Sequence, residues 1–502
     1  MINMKSLVKK SAIYLALFCI SLLLYAVTFR GGLGNPTPHA IEFELNKSGK
    51  PFETSQERSR WAMILSVVNE KRFAIDTYAS MGTPDIGRIK GHYYSFFPPA
   101  MSLFAIPLYL FGVQVQASQL FVFATPALFA LGTMFLMAKF LADRGYHWSY
   151  CLLAALSFGF ATSAWGYSIT LFAHVASAFF LMLGIYLSTK MKQISVWESV
   201  GIWVTYAIAI FTDFPNAFIF FPIALYHFVH SFEIIEHAAA VSISIKFRYI
   251  LGIIALISCL GLYGYYNFVH FGSPTILSNT IPRVQDLKVA ELRVAEKTKN
   301  AGQSLNTRNI INGLYTFLFS PDRSLGIYAP VVLLFIVGIF AMRRKYHKEY
   351  LLLLAVPATC FTLYTMFGDP YGGWAFGSRY MVAIMPELVL LAVIGLAHFS
   401  QNVLLKLLYS IVIIWSMCMG LMAALTTNVI PPYVEARVIG IDYTGWINVR
   451  MLQKSELNSF VFNTLAYTHM NGIQYFMCIA IPLGLLFLVL IWIKKPYETE
   501  HI

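Results

Sequence analysis

Three acidic side chains mark the part of the chain where acid–base chemistry is most expected. Glu57, Asp76 and Asp85 lie in one polar stretch, 51–109, next to strongly apolar runs. Such a stretch is expected at a membrane face, where a carboxylate can be partly desolvated and still meet a substrate, as a general base requires. The sequence therefore predicts a base in this stretch, with Glu57, Asp85 and Asp76 as the candidates.

Glu57 has a structural explanation as well. Thr54 and Glu57 have the spacing of a capping box, which fixes the first turn of a helix. Trp61, Leu65 and Val68 share one face of the helix that follows, a pattern typical of an amphipathic helix in the membrane interface. Glu57 is therefore either the cap of this helix or a catalytic acid, and the sequence leaves both open.

The end of the stretch is dense in ionisable groups. Lys90, His92 and Tyr94 follow Asp85 within ten residues. An Asx turn would explain Asp85 by itself, but the density of these groups favours a substrate-binding surface. Arg58 and Arg60, in the preceding helix, are predicted either to bind a phosphate or to anchor the helix to lipid headgroups.

Three more arginines lie in or beside the other polar segments. Arg283 and Arg323 belong to one long segment, and Arg379 follows a glycine-rich segment and begins an apolar run. A guanidinium can hold two phosphate oxygens at once, so these three are predicted to bind a phosphate. For Arg379 the alternative is that the side chain extends to the lipid headgroups.

Ionisable residues also occur within or between the apolar runs. They are His174, Asp213 and Glu387. Charged groups are costly inside a membrane and lie against partners or cavities. Structural pairing and substrate binding explain each of them equally well.

The composition places the chain in a membrane. Hydrophobic residues make up 58% of the 502 residues and charged residues 12%, with a mean hydropathy of +0.64, whereas soluble domains have about 25% charged residues. The net charge of +12 comes from short basic clusters between apolar runs, which argues against a nucleic-acid-binding face. All six cysteines fall in apolar runs, so neither a disulfide framework nor a zinc site is predicted.

The apolar runs predict an all-α polytopic membrane protein of about twelve transmembrane helices, with amphipathic interfacial helices in a large first external loop. The run at 98–112 is broken by prolines and is expected to be a re-entrant or interfacial helix. The first run has a basic start and no cleavage site, so we expect it to be retained. The twelve runs lie near 11–29, 115–138, 148–166, 169–188, 200–212, 214–229, 250–268, 325–342, 351–367, 380–397, 404–424 and 473–493.

The basic clusters predict the orientation. Six of them alternate with the long acidic loops, and the positive-inside rule then places both termini in the cytoplasm. The predicted external loops are 30–114, 268–324, 368–379 and 425–470. We expect residues 1–400 to form a catalytic region and 401–502 to add C-terminal helices around the last of these loops.

Several segments together resemble the GT-C superfamily of membrane glycosyltransferases, and within it the bacterial protein mannosyltransferase and aminoarabinose transferase branch. They cover about 50–390 in order. The matching pieces are the acidic first loop, GHYYSFFPPAMSLFAIPLY at 91–109, SITLFAHVASAFFL at 168–181, NFVHFGSP at 267–274, SPDRSLGIYAP at 320–330 and YGGWAFGSRYMVAIMP at 371–386.

The resemblance implies an inverting transfer of sugar from a polyprenyl-phosphate donor, with a first-loop carboxylate as general base at the periplasmic face of the bacterial inner membrane. Many relatives carry Asp, often Asp-Glu, where this chain has Gln56-Glu57. This departure keeps Asp85 and Asp76 as competitors of Glu57. Some relatives use a divalent metal such as Mg or Mn near this carboxylate, but the spacing here spells out no ligand set.

The acceptor implied is a lipid, a glycan or a protein, and membrane lipids surround the chain. A transporter or flippase of twelve spans is the main rival, but such proteins have related halves, which this sequence lacks. A polysaccharide ligase or polymerase with a similar external pocket is the second rival.

Overall fold

The structure is a computed structural model in which helices dominate. It describes residues 4–37, 52–190, 195–230, 232–237, 240–245, 247–284, 287, 305–342, 350–438, 440 and 444–493. The α-helices are α1 Met4–Thr28, α2 Ser55–Leu65, α3 Ala79–Gly82, α4 Ala100–Gln114, α5 Ser118–Asp143, α6 Trp148–Phe160, α7 Ala164–Ser168, α8 His174–Ser188, α9 Val196–Thr212, α10 Asn216–Ile219, α11 Phe221–Val229, α12 Phe247–Phe271, α13 Ile310–Leu318, α14 Leu325–Tyr328, α15 Phe335–Met342, α16 Tyr350–Thr365, α17 Met385–His398, α18 Val403–Leu425, α19 Tyr433–Val438, α20 Thr444–Gln453 and α21 Gly472–Trp492.

The apolar runs form the predicted helices. Five segments of the described chain are long and apolar enough to cross a membrane, and shorter apolar helices accompany them. Each of the twelve runs lies in a helical segment, so the chain is a multi-pass membrane protein, while the count of twelve spans stays a prediction. The five are Ser118–Asp143, Ile250–Phe271, Arg379–His398, Val403–Leu425 and Gly472–Trp492.

Short helices of other types connect these segments. The 3-10 helices are Asp76–Tyr78, Ser278–Thr280, Thr307–Asn309, Pro330–Leu334 and Arg379–Ile384, and the π-helical turns are Ser66–Glu70 and Phe462–Ala466. The segment Arg379–Ile384 runs directly into α17, whose residues are nearly all buried. The backbone around Arg379 is therefore held in place by the buried helix α17.

The helix of the first loop is not an interfacial helix, which corrects the prediction. In α2, Trp61 and Leu65 are buried as expected, but the opposite face is buried too, including Ser59 and Arg60. An interfacial helix would leave its polar face in water. Hydropathy alone does not distinguish this from a helix enclosed by protein, and α2 packs against α3 and α4.

A small antiparallel sheet corrects the all-α expectation. Strand β1 (Ile86–Ile89) pairs with β2 (His92–Ser95) and with β5 (Arg283–Val284). Lys90 and Gly91 form the tight turn between β1 and β2 with φ of 52° and 84°, the left-handed geometry of a two-residue hairpin. A second hairpin joins β3 (Phe232–His237) to β4 (Ala240–Ile245).

The C-terminal helices share the core of the rest of the chain. Helix α21 packs on α18 and α6, and one continuous hydrophobic cluster includes Leu17, Phe123 and Phe487. The division at residue 400 stays a prediction about function.

Candidate functional site

The side chain of Arg379 meets the first turn of α2. With its amide oriented to satisfy hydrogen bonding, the Gln56 oxygen accepts from both terminal nitrogens of Arg379, at 2.7 and 3.1 Å. The Arg379 Nε is buried without a hydrogen-bond partner. Gly372 leaves room for the guanidinium, since a Cβ there would lie 2.8 Å from this Nε.

Arg379 is not neutralised by an acid. Across the described residues, no ion pair within 4.0 Å joins it to a carboxylate. The guanidinium is half-buried, and Tyr380 and the more distant charge of Asp369 favour its charged form. It therefore presents a positive charge without a paired carboxylate beside the loop helix.

His174 and Asp213 form a pair next to Arg379. His174 begins α8 and Asp213 ends α9, and their Nδ1 and Oδ2 atoms are 3.5 Å apart. The ring of Tyr380, the neighbour of Arg379, meets the His174 ring edge-to-face with centroids 6.0 Å apart. The structure thus joins two residues that the sequence left separate.

Arg60 completes the group, and the sequence predicted it, with Arg58, to be either a phosphate ligand or a lipid anchor. It is 4% exposed, donates to the Leu171 carbonyl at 3.1 Å and stacks on the Phe97 ring at 4.2 Å. Burial lowers the pKa of Arg60 to about 10, and Asp213 is the acid that most opposes this shift. Gln56, Arg60, His174, Asp213 and Arg379 are called the polar cluster below.

Asp85 lies at the base of the β1–β2 hairpin, where cations and hydroxyls surround it. One carboxylate oxygen accepts from the Ser55 hydroxyl at 2.5 Å, and the other is bonded to Arg283. Its backbone carbonyl accepts from Ser59. Asp85 therefore ties the hairpin and β5 to the start of α2, and Arg283 forms its ion pair with this carboxylate.

Asp76 and His92 lie on the outer side of the hairpin. The Asp76 carboxylate bonds His92 at 2.8 Å, Arg72 at 3.1 Å and the Tyr93 amide at 2.7 Å. Lys90 is exposed in the hairpin turn, and Tyr94 is buried against aromatic rings at the end of α12. None of these four predicted residues has a contact with the polar cluster in the described chain.

Glu57 forms the predicted capping box. Its Oε2 accepts from the Thr54 and Glu53 amides at 3.1 and 3.0 Å, while its Oε1 is buried without a partner. Burial, and next the nearby Glu53 charge, raise the pKa of Glu57 to about 7. The carboxyl is fully buried, so it holds the helix start and has no path to a substrate in this arrangement.

Two arginines that were predicted to bind a phosphate donate their hydrogen bonds to backbone carbonyls instead. Arg323 is fully buried and bonds the carbonyls of Tyr371, Gly373 and Ile430 at 2.9 Å each. Arg58 donates to the Met81 and Thr83 carbonyls. These guanidinium groups join loops to one another, which favours a structural role for both.

A buried ion pair positions the start of α2 and was missed by the sequence analysis. Arg30 and Glu53 are 2.8 Å apart, and Glu53 also accepts from the Asn428 amide and the Asn458 side chain. Asn428 is 375 positions from Glu53, so no local pattern could reveal the contact. The contact between Glu53 and Asn428 joins the first loop to the C-terminal loop, three residues before Gln56.

The described residues do not assemble a metal site. No group of three or more His, Cys, Asp or Glu side chains comes together in them. The first-loop acid nearest to such a role, Asp85, is already bonded to Ser55 and Arg283. These residues do not fit the Mg or Mn that some GT-C enzymes use.

Comparison with known proteins gives the fold. No protein-family model matches the sequence, and no curated protein matches it significantly. The crystal structure of ArnT from Cupriavidus metallidurans bound to undecaprenyl phosphate matches 95% of this chain and 76% of that chain, with a TM-score of 0.50 and 13% sequence identity. The GT-C fold that the loop motifs predicted is thereby confirmed.

Proposed function

We propose that this protein is an inverting glycosyltransferase of the bacterial inner membrane. It moves a sugar from a polyprenyl-phosphate donor to a lipid, glycan or protein acceptor at the periplasmic face. The polar cluster is the site of transfer, and Arg379 holds the phosphate of the donor.

The charge of Arg379, which forms no ion pair with a carboxylate among the described residues, carries this proposal. In the described chain its terminal nitrogens contact a neutral amide, and its Nε has no partner. A half-buried guanidinium in this state is stabilised by an incoming anion, and its planar fork suits two phosphate oxygens. ArnT, which shares the fold, was crystallised with undecaprenyl phosphate, and a lipid phosphate is the anion expected beside an apolar helix.

The transfer itself needs few groups. The acceptor oxygen attacks the anomeric carbon from the face opposite the phosphate, and the bond between that carbon and the phosphate oxygen breaks. Arg379 and Arg60 stabilise the charge that develops on the departing phosphate. A phosphate departs without much protonation, so one proton acceptor for the incoming hydroxyl is sufficient.

Several residues are candidates for this proton acceptor. The first-loop acids Glu57, Asp85 and Asp76 remain predictions for it, and each has other contacts in the structure. The pair outside the loop, His174 and Asp213, is a further candidate.

The lipid pool of a deletion strain tests the proposed function. In the organism that produces this chain, deletion should raise the amount of one polyprenyl-phosphate-linked sugar, measured by mass spectrometry of extracted lipids. Wild-type protein should restore the pool, and Arg379→Gln should not, although it inserts normally. Arg88→Gln, which removes an exposed arginine from β1, is the matched control. An unchanged pool of such lipids after deletion contradicts the function.

A further inference from the structure

We propose that His174 accepts the proton of the acceptor hydroxyl and that Asp213 positions its ring. This inference rests on the proposed function and names the base for it. The geometry of five residues around His174 carries the argument.

The first-loop acids are each held by other contacts. Glu57 is fully buried and caps α2, and Asp85 bonds Ser55 and Arg283. Asp76 lies beyond the hairpin with Arg72 and His92. A base must reach the proton that it removes within about 3 Å. In the part of the chain that the structure describes, none of the three side chains forms a hydrogen bond or an ion pair with the side chains of the polar cluster, although the charges of Asp85 and Glu57 act on Arg60.

The Asp213 carboxylate selects the tautomer of His174. It faces Nδ1 at 3.5 Å, so this nitrogen carries the proton, and the lone pair of the ring is on Nε2. Within the described residues no hydrogen bond to Nε2 is formed, and the side chain is 11% exposed. A carboxylate behind one nitrogen and a free lone pair on the other is the arrangement that general-base histidines use.

Positive groups lie near the His174 ring. His174 is the first residue of α8, so the positive end of this helix is beside its ring. Arg60 and Arg379 lie in the same cluster. The same arginines would hold the donor phosphate, which brings the anomeric carbon close to the base.

The charged and titratable groups near His174 come from several elements. Lys139 and Asp143 of α5 are at the other end of α8, where they meet Tyr186. Glu198 lies in the first turn of α9, also far from Asp213, and His227 of α11 bonds Ser199 near that same end. Glu387 is buried in α17. The groups that face the ring itself are Asp213, Arg60, Arg379, Tyr167 and Tyr380.

The step balances in atoms and charge. As the acceptor oxygen bonds to the anomeric carbon, its proton moves to Nε2 of His174. The bond from that carbon to the phosphate oxygen breaks, and its electron pair leaves with the phosphate. The imidazolium that results is stabilised by the Asp213 carboxylate, and water then takes the proton away.

Chemical rescue tests the role of His174 without knowledge of the acceptor. Membranes of the deletion strain hold both the accumulated donor and the natural acceptor, and the rate at which added purified protein consumes the donor is measured. His174→Ala should lower this rate by about 10²–10⁴-fold, and added imidazole should restore part of it. The restored rate should grow with the unprotonated fraction of imidazole. His469→Ala, which removes an exposed histidine, should keep the full rate and show no response to imidazole.

Asp213→Asn tests the positioning role. The rate of Asp213→Asn should fall less than that of His174→Ala, because the His174 ring is still present and only its tautomer is no longer fixed. For the same reason imidazole should not restore the rate. Asp213→Glu should recover part of the rate. Asp143→Asn, a partly exposed acid in α5, is the control.

The outcomes separate this inference from the proposed function. Two outcomes would show that His174 is not the base, provided that wild-type protein consumes the donor. In the first, His174→Ala consumes the donor at a similar rate. In the second, His174→Ala is inactive and imidazole does not rescue it, although it still binds undecaprenyl phosphate. If wild-type protein consumes no polyprenyl-linked sugar at all, the proposed function itself fails.

Discussion

The Gln56 side-chain oxygen accepts hydrogen bonds from both terminal nitrogens of Arg379, at 2.7 and 3.1 Å. The resemblance implies that many relatives carry Asp, often Asp-Glu, where this chain has Gln56-Glu57. An acid in place of Gln56 would neutralise the arginine. Here an amide orients the guanidinium and leaves its charge for another anion. This contact is the link between the first-loop helix and the segment that begins α17.

Restoring an acid at this position should block the anion site. Gln56→Glu places a carboxylate on Arg379, so we expect undecaprenyl phosphate to bind the purified protein at least about tenfold more weakly, since a charged hydrogen bond contributes roughly 1.5–3 kcal/mol. Native mass spectrometry with increasing lipid measures the affinity. Gln453→Glu, at an exposed position of α20, is the control, and equal affinity in both variants would contradict the site.

Glu57 should make stability depend on pH. Its pKa is raised from 4.5 to about 7 by burial, so the folded protein holds this proton more tightly than the unfolded chain. Stability should therefore fall as pH rises from about 4.5 to about 7, by up to about 3 kcal/mol. Glu57→Gln keeps an oxygen for the cap and should remove this slope in thermal unfolding, whereas Glu456→Gln, at an exposed site, should keep it.

Glu57→Gln also tests whether Glu57 only caps α2 or acts as the general base. If Glu57 only caps α2, Glu57→Gln should consume donor at nearly the wild-type rate. A loss of about 10²-fold or more in a well-folded variant would return the base to the first loop.

Asp85 should contribute more to the stability of the β1–β2 hairpin than to proton transfer in the reaction. Asp85→Asn removes the charge that holds Arg283 and weakens a largely buried contact, which should lower stability by about 1–3 kcal/mol and speed proteolysis of the hairpin. Arg283→Gln should produce a similar change. Loss of donor consumption in Asp85→Asn, with stability unchanged, would instead identify Asp85 as the base.

The topology prediction can be tested at described, exposed positions. In a variant without the six native cysteines, Thr275→Cys should react with a membrane-impermeant maleimide in intact cells, and Gln401→Cys should react only after lysis, because the basic clusters place these sides outside and inside. The reverse labelling pattern would invert the orientation.

Local patterns predicted the local structure. The apolar runs became helices, and Thr54 with Glu57 formed the capping box because both signals depend on neighbouring residues. The β1–β2 hairpin turns at Lys90-Gly91, where both φ angles are positive. Lys-Gly is not one of the dipeptides that strongly favour such a turn, so the local pattern did not predict the hairpin.

Which residues form the site depends on contacts between parts of the chain that are distant in sequence. His174 and Asp213 are 39 positions apart, and Gln56 and Arg379 are separated by most of the sequence. Hydropathy also does not distinguish a helix enclosed by protein from one in the interface, which is why α2 was misplaced. Only the packing of the helices reveals which predicted residues meet.

Arg379 gives the most direct test of the central claim that a lipid phosphate binds at the polar cluster. Arg379→Lys keeps one positive charge but loses the fork that can hold two oxygens. The affinity of the purified protein for undecaprenyl phosphate should fall at least about tenfold relative to wild type and to the Arg88→Lys control. If Arg379→Lys binds undecaprenyl phosphate as tightly as wild type does, Arg379 only anchors its helix to the headgroups, and the claim is contradicted.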